Sequence, residues 1–310
     1  MQRYRVGVNV LVTGSHGLIG SALIPKLRAD GARVLRLVRS EPEGSDDVRW
    51  DPAAGTIDAA GLEGVDAVVH LAGAGIAEKK WSPERKQLIR ESRTKSTDLL
   101  ARTLAGLARP PAVLISGSGV GYYGNGGDTE LTEQAPPGDD FPARLCVDWE
   151  AATTPAADAG IRVVTIRTGI VLAAHGGALK QMLLPYKLGL GGRVGSGAQY
   201  MSWIALDDHV DAVRHLLATE SIAGPVNLTA SNPVTNTEFT HALGGALHRP
   251  TLLPTPLFPL KAIYGGELVQ HLLVDGQRVV PRVLETSGFH FTYPEIDAAL
   301  RAVLAAPAAA

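Results

Sequence analysis

Apolar positions in this chain follow two rhythms, short continuous runs and stretches spaced by three or four. Val8–Val12 is mostly apolar, as a short buried strand would be, and runs directly into Thr13-Gly14-Ser15-His16-Gly17-Leu18-Ile19-Gly20. Ser21–Asp30 then places Ala22, Leu23 and Leu27 at helical spacing, so the opening reads as strand, glycine turn, helix. Further strands are predicted at Arg33–Val38, Ala67–Leu71, Ala112–Ser116 and Arg162–Arg167, with helices over Pro83–Leu107 and Ala143–Ala159 between them. Strands alternating with helices imply an α/β protein with a doubly wound parallel sheet, whose ligands lie at the carboxyl ends of the strands.

Beyond about residue 170 the rhythm changes. Loops are predicted at His175–Gly177 and Leu188–Tyr200, a strand at Ser202-Trp203-Ile204, a helix at Asp207–Thr219, a Pro-rich stretch at Pro250–Pro259, and helix, turn, helix over Leu260–Leu304. These short elements read as a capping lobe without a core of its own. No internal repeat is visible, and the alanine-rich C-terminal end is the one low-complexity segment.

Composition narrows the function classes. The 310 residues suffice for a sizeable core, and 29 Lys and Arg against 31 Asp and Glu leave a formal net charge of -2, with no block of like charge. A nucleic-acid or membrane-surface role gains no support from that balance. No window approaches the roughly 18 unbroken apolar residues of a membrane helix. The single cysteine, Cys146, excludes an internal disulfide and a Cys-rich zinc site, and no secretory pattern precedes the first strand, so a cytoplasmic setting is expected.

The 35 glycines matter through their positions. Gly14 permits a tight turn, Gly17 lets the backbone approach a pyrophosphate, and Gly20 lets the helix lie close on the strand, while the helix N-terminus offers N–H groups to an anion. At the end of the second strand, where an NAD site carries Asp or Glu for the ribose 2′-hydroxyl, this chain has Arg39-Ser40. A guanidinium suits a 2′-phosphate, so NADP(H) is the expected cofactor. Three more strand-end segments, Leu71–Gly75, Gly117–Gly124 and Thr168-Gly169, are rich in the small residues that keep such a trough open.

The spacing of Gly14, Gly17 and Gly20, the segment His70-Leu71-Ala72-Gly73 and the pair Tyr123-Gly124 resemble the extended short-chain dehydrogenase/reductases, the NAD-dependent epimerase and dehydratase family. Ile89–Arg93, Val120–Gly124, Gly195–Gln199, Ser202-Trp203-Ile204 and Gly276–Pro281 resemble its atypical branch of epimerase-family proteins and nucleoside-diphosphate-sugar epimerases, and the tail resembles that branch's C-terminal module. The resemblance implies a Rossmann-type NADP(H) domain over residues 1–170 and a substrate lobe over 171–310, the module at about 255–305. It implies cofactor contacts at Gly14, His16, Gly17, Leu18, Ile19, Gly20, Arg39, Ser40, Leu71, Ala72, Gly73 and Arg93. It also implies a homodimer through the two long helices.

That family moves a proton with a Tyr assisted by a Lys four residues on, an ammonium lowering a phenol pKa that is otherwise near 10. With Glu150 aligned to the family's Glu, Pro142 takes the Tyr position and Cys146 the Lys position, so the pair is absent. Tyr122 or Tyr123, beside Ser118, are the replacement acids; Cys146 reads as packing. Lys180, Tyr186, Gln199 and Trp203 are the expected substrate contacts, with Lys187 near them. The histidine spacings, His271/His290 among them, lack acidic or thiolate partners at ligand spacing, so no metal is expected. The expected function is an NADP-dependent oxidoreductase or nucleotide-sugar epimerase-like enzyme acting on a small polar metabolite. The alternative is an NADP(H)-binding sensor without turnover.

Overall fold

The computed structural model describes residues 7–305; Val6, which extends the first apolar run, and the alanine-rich end at 306–310 lie outside them. Eight strands form the main sheet: β1 (Asn9–Thr13), β2 (Arg33–Val38), β3 (Asp47–Asp51), β4 (Thr56–Ile57), β5 (Ala67–His70), β6 (Val113–Gly119), β7 (Arg162–Thr168) and β8 (Gly224–Leu228). Their spatial order is β8-β7-β6-β5-β1-β2-β3-β4, parallel throughout except for the antiparallel edge strand β4. The expected doubly wound parallel sheet is therefore present.

The flanking helices are α1 (Leu18–Ala29), α2 (Pro83–Ala105), α3 (Phe141–Ala151), α4 (Thr154–Asp158), α5 (Gly177–Lys187), α6 (Leu206–Ala218), α7 (Asn236–Leu247) and α8 (Leu257–Tyr264). Strand side chains alternate between two cores, as a period of two requires. Val10, Val12, Val69 and Ile115 face α1 and α6, whereas Leu11, Val68 and Leu114 face α2 and α4. None of the helices among the described residues is long and apolar enough to cross a membrane.

Several expectations need correction. The helix anticipated over Ala143–Ala159 is two helices, because Pro155 lacks an N–H and cannot continue the ladder of α3. The sheet also does not end near residue 170: β8 and α6 return from the second half of the chain to complete it. The second lobe does have a core of its own, in which α5 and α7 pack with the closing helix Ile296–Ala305 around Trp203, Phe239, Leu243 and Leu300. The tail is more broken than helix, turn, helix, with a short Gly266–Val269 helix, a π turn at Gln270–Val274, and a two-residue strand Arg278–Val279 paired to Glu130-Leu131.

Candidate functional site

The crevice opens where the strand order reverses, between β1 and β5, whose last residues Thr13 and His70 stand side by side in register. The Thr13 hydroxyl oxygen accepts the Leu71 N–H at 3.0 Å and the Ala72 N–H at 3.1 Å, and lies 2.7 Å from His70 Nδ1. With both lone pairs engaged, the hydroxyl proton points at Nδ1, which places the imidazole proton on Nε2. Nε2 donates to Thr97 Oγ1 at 2.9 Å, and the same oxygen accepts the Trp149 indole N–H at 3.0 Å. This chain locks β1, β5, α2 and α3 into a rigid floor.

Burial pushes His70 down to about 4, and His209, which meets Thr168 Oγ1 at 3.1 Å, down to about 3. Both rings stay neutral in the folded protein while their unfolded counterparts protonate near 6.5. Below that pH the unfolded state takes up the protons first. Stability that is full above pH 6.5 is therefore expected to fall as the pH drops, by about 1.4 kcal/mol per pH unit for each ring until its folded pKa is reached. Urea unfolding at a series of pH values from neutral into the acid range measures this slope.

Above the floor, Gly14 takes a φ of +67° and a Cβ there would lie 2.8 Å from the Leu71 carbonyl oxygen. Gly20 is tighter still, since its Cβ would meet the Gly14 oxygen at 2.3 Å. Gly17 donates to that oxygen at 2.9 Å, and α1 begins at Leu18 with no side-chain cap and no acid in its first turn. The first N–H groups of α1, those of Leu18, Ile19 and Gly20, consequently have no partner within the helix and could hold an anion. His16 is exposed on the turn.

Arg39 and Ser40 are exposed just beyond β2. The neighbouring guanidinium groups are committed, Arg33 to Asp46, Arg36 to both oxygens of Asp47, and Arg49 to Glu41. Arg39 alone of these makes no ion pair or hydrogen bond among the described residues. The bond from Arg36 also holds the Asp47 carboxyl below its ordinary range, with burial opposing.

At the far end of the crevice, Arg93 lies under Gly73. Its Nη1 donates to the Ile89 carbonyl at 3.0 Å, its guanidinium stands 5.0 Å over the Trp149 ring, and no carboxylate among the described residues pairs with it. Burial lowers its pKa, and the Cys146 sulfur is among its electrostatic neighbours. Cys146 itself is buried against the Gly119 carbonyl at 3.6 Å; burial, followed by the charge of Glu150, pushes the thiol up to about 11. A neutral thiol cannot stand in for a lysine ammonium.

Two residues expected to be catalytic are committed to the scaffold. Ser118 donates to Glu150 Oε1 at 2.7 Å. The Tyr123 hydroxyl donates to Asn227 Oδ1 at 2.6 Å and accepts from Arg167 at 3.1 Å, and burial drives the phenol up to about 12. Tyr122 differs: it is half-buried, its ring lies 3.4 Å beneath the Arg167 guanidinium, and its hydroxyl makes no hydrogen bond among the described residues.

The expected substrate contacts scatter. Trp203 is fully buried in the second core, where its indole N–H donates to the Asn232 carbonyl at 3.1 Å, and buried Tyr186 donates to Thr240 at 3.0 Å. Gln199 is a clamp, donating to the carbonyls of Val194 at 3.0 Å and Leu273 at 2.9 Å. Lys180 is exposed on the outer face of α5. Packing with α5, α7 and the closing helix absorbs Trp203 and Tyr186, and the two carbonyls absorb Gln199, so three of the four expected contacts serve the scaffold.

One group escaped the sequence reading. His271 Nδ1 lies 2.8 Å from Asp275 Oδ2 and 3.4 Å from Asp140 Oδ2, and the three ligand atoms lie within 4.8 Å of one another, a spacing that would admit a metal ion. The expectation of no metal rested on missing acidic partners, and the structure supplies two. Asp275 stands four residues after His271 and was a legible signal; Asp140, the N-cap of α3, was not. Each carboxylate spends its other oxygen on the scaffold, Asp140 Oδ1 on the Ala143 N–H and Asp275 Oδ1 on Gln270. His271 Nε2 makes no hydrogen bond among the described residues, and Asp140, which faces Nδ1, stands two residues before Pro142.

Comparison with known proteins agrees with this geometry. The NAD dependent epimerase/dehydratase family matches residues 10–228, and a domain of unknown function, DUF1731, matches residues 255–303. The epimerase family protein MT2273 of Mycobacterium tuberculosis is 47% identical over 291 residues, covering 94% of this chain and 96% of the relative. The human epimerase family protein SDR39U1, crystallised with NADPH, superposes with a TM-score of 0.87 at 36% identity, covering 96% of this chain and 99% of that one. A nucleoside-diphosphate sugar epimerase from Corynebacterium glutamicum gives a TM-score of 0.78 at 37% identity, covering 95% of this chain and 57% of the longer one. UDP-N-acetylglucosamine 4-epimerase from Bacillus cereus, at 16% identity and a TM-score of 0.73, shares the fold. With its glycine turn, its reversal of strand order and a family match across most of its length, the chain belongs to the NAD dependent epimerase/dehydratase family.

Proposed function

We propose that this protein is an NADP(H)-dependent enzyme of the oxidoreductase or nucleotide-sugar epimerase type, acting on a small polar metabolite. The observation that carries the reading is the fit of the crevice to a 2′-phosphorylated dinucleotide. A pyrophosphate fits the uncapped start of α1, over a turn where a Cβ on Gly14 or Gly20 would collide with backbone, and Arg39, exposed just after β2 and without an ion pair or hydrogen bond among the described residues, is the cation assigned here to the 2′-phosphate. NADPH in the human relative supports the same assignment.

Removing the Arg39 guanidinium tests it directly. Arg39→Ala is expected to lose a charge-assisted contact of about 1.5–3 kcal/mol, roughly 10- to 150-fold in NADPH affinity, with little change for NADH. Equal NADPH dissociation constants for the two proteins would end the assignment.

Held by the glycine turn, the start of α1 and Arg39, the cofactor would supply a hydride donor or acceptor at its nicotinamide end. Arg93, a half-buried cation at the ends of β5 and β6 with no carboxylate partner among the described residues, favours negative charge there. Proton transfer then falls to groups other than the missing Tyr and Lys, and Tyr122 and the carboxylate-held imidazole of His271 each keep a polar atom without a hydrogen bond among the described residues. In His271 the two aspartates fix the proton on Nδ1 and leave Nε2 free to exchange one.

Purified protein screened with NADP(H) against carbonyl compounds and sugar nucleotides is expected to show turnover. Loss of the true proton donor, by Tyr122→Phe or His271→Gln, should lower kcat by about 100-fold or more without changing NADPH affinity. Tight NADPH binding with no turnover across the panel would support the sensor reading instead.

A further inference from the structure

Among the described residues, nine large hydrophobic side chains are exposed, and seven of them fall in two short segments. Leu184, Leu188 and Leu190 lie on α5 and its exit, and Leu252, Leu253, Phe258 and Ile263 on the loop before α8 and on α8 itself. The two segments run side by side. Arg249 Nε donates to the Lys187 carbonyl at 2.9 Å, the Thr255 N–H donates to the Arg193 carbonyl at 2.8 Å, and Val194 bridges to Thr255. Leu252 is 89% exposed, Phe258 is 82% exposed, and α8 contains no buried residue at all. A contiguous apolar patch of this kind marks a surface that meets something other than water.

Charge identifies the partner. The chain has no Asp or Glu between Asp158 and Asp207, nor between Glu238 and Glu267, and Glu267 is paired to Lys86. Within those gaps Lys180, Lys187, Arg193, Arg249 and Lys261 are all exposed around the leucines. Lys180, Leu184 and Leu188 recur every four residues, so cation and apolar side chains share the outer stripe of α5. A symmetric contact between two copies would set these cations against each other, which disfavours self-association through this face. Exposed leucines and a phenylalanine ringed by cations match the acyl boundary and headgroups of an anionic bilayer.

We propose that this face of the second lobe is a peripheral docking surface for anionic lipid bilayers, entered by Leu252, Leu253 and Phe258 and held by Lys187, Arg249 and Lys261. The near-neutral charge of the whole chain conceals it, because the acids are concentrated elsewhere. The inference is independent of any enzymatic reading.

Co-sedimentation of the full-length protein with phosphatidylcholine vesicles, with and without phosphatidylglycerol, tests it. Partitioning is expected onto the phosphatidylglycerol-containing vesicles, weakening as salt rises. Leu252→Ser/Phe258→Ser and, separately, Lys187→Glu/Lys261→Glu should each weaken it by roughly tenfold or more. NADPH affinity, which these exposed positions do not touch, reports that the variants are folded. The proposal is overturned if the protein ignores anionic vesicles, if it binds neutral ones equally, or if either double variant partitions like wild type. It is equally overturned if light scattering shows a dimer that the Leu252/Phe258 pair holds together and that does not bind vesicles.

Discussion

Arg167→Met is expected to lower the unfolding free energy by about 3–5 kcal/mol, the usual cost of stripping one partner from a buried ion pair. Arg167, with a side chain only 4% exposed, places Nε and Nη2 on the two oxygens of Glu150 at 2.8 and 2.9 Å. Its Nη1 donates to the Tyr123 hydroxyl at 3.1 Å and to the Glu133 carbonyl at 3.2 Å. Burial opposes the charge, but the Glu150 hydrogen bonds and the nearby negative groups outweigh it and raise the Arg167 pKa, so the guanidinium is charged across the working range. Methionine fills much of the volume and removes the charge, leaving the Glu150 carboxylate with Ser118 as its one remaining donor among the described residues.

A double variant separates the lost charge from the lost packing. Arg167→Met with Glu150→Gln no longer buries an uncompensated carboxylate, so it should recover a substantial part of the loss, and the two effects should be far from additive. Urea unfolding of the wild type, both single variants and the double variant closes the cycle. A single-variant loss below about 1 kcal/mol would show the pair to be solvated as surface pairs are.

The same network shows where sequence reading stops. Its members come from β6, the turn that follows it, α3, β7, β8 and the Glu133 loop, and Asn227 ties it to the tail through the Val280 carbonyl at 2.9 Å. No local pattern brings such residues together. The strand, glycine turn and helix over residues 9–29 were legible because three neighbouring glycines and one apolar run specify them locally. β3 was not: Asp47–Asp51 carries the acids of a loop and becomes a strand by pairing with β2 and burying Val48 and Trp50. β8 opens Gly224-Pro225, a turn signal that an edge strand tolerates because one of its sides makes no ladder bonds. At the candidate site, Arg39 is a cation where an acid is expected, a local difference that the sequence alone displays. Tyr123 and Trp203 were misplaced because an aromatic at a strand end serves a pocket or a core equally well, and only tertiary packing decides.

The second large effect is expected at Gly20, where alanine should abolish useful NADP(H) binding, with a loss of about 100-fold or more. The Cβ of Gly20→Ala would fall 2.3 Å from the Gly14 carbonyl oxygen, 3.0 Å from the Gly14 carbonyl carbon and 3.0 Å from the Ser15 Cα. All three are backbone atoms of the phosphate turn, so no flexible side chain can yield, and relief requires α1 to shift away from the turn. That shift carries the N–H groups of Leu18 and Ile19 out of line with the pyrophosphate. Losing two hydrogen bonds to an anion, at about 1.5–3 kcal/mol each, exceeds the roughly 2.7 kcal/mol that separates 100-fold in affinity. Overpacking adds about 1–3 kcal/mol of lost stability. Gly245→Ala provides the contrast, because the added Cβ on the open face of α7 meets nothing within 4 Å beyond the helix's own backbone and the adjoining residues. It should bind NADPH as wild type does and gain up to about 1 kcal/mol from better helix propensity. Titration of NADPH into both variants, with urea unfolding alongside, separates the two effects. A Gly20→Ala protein that binds NADPH within a few-fold of wild type would show that the pyrophosphate does not rest on the start of α1, and the assignment of the crevice would fall with it.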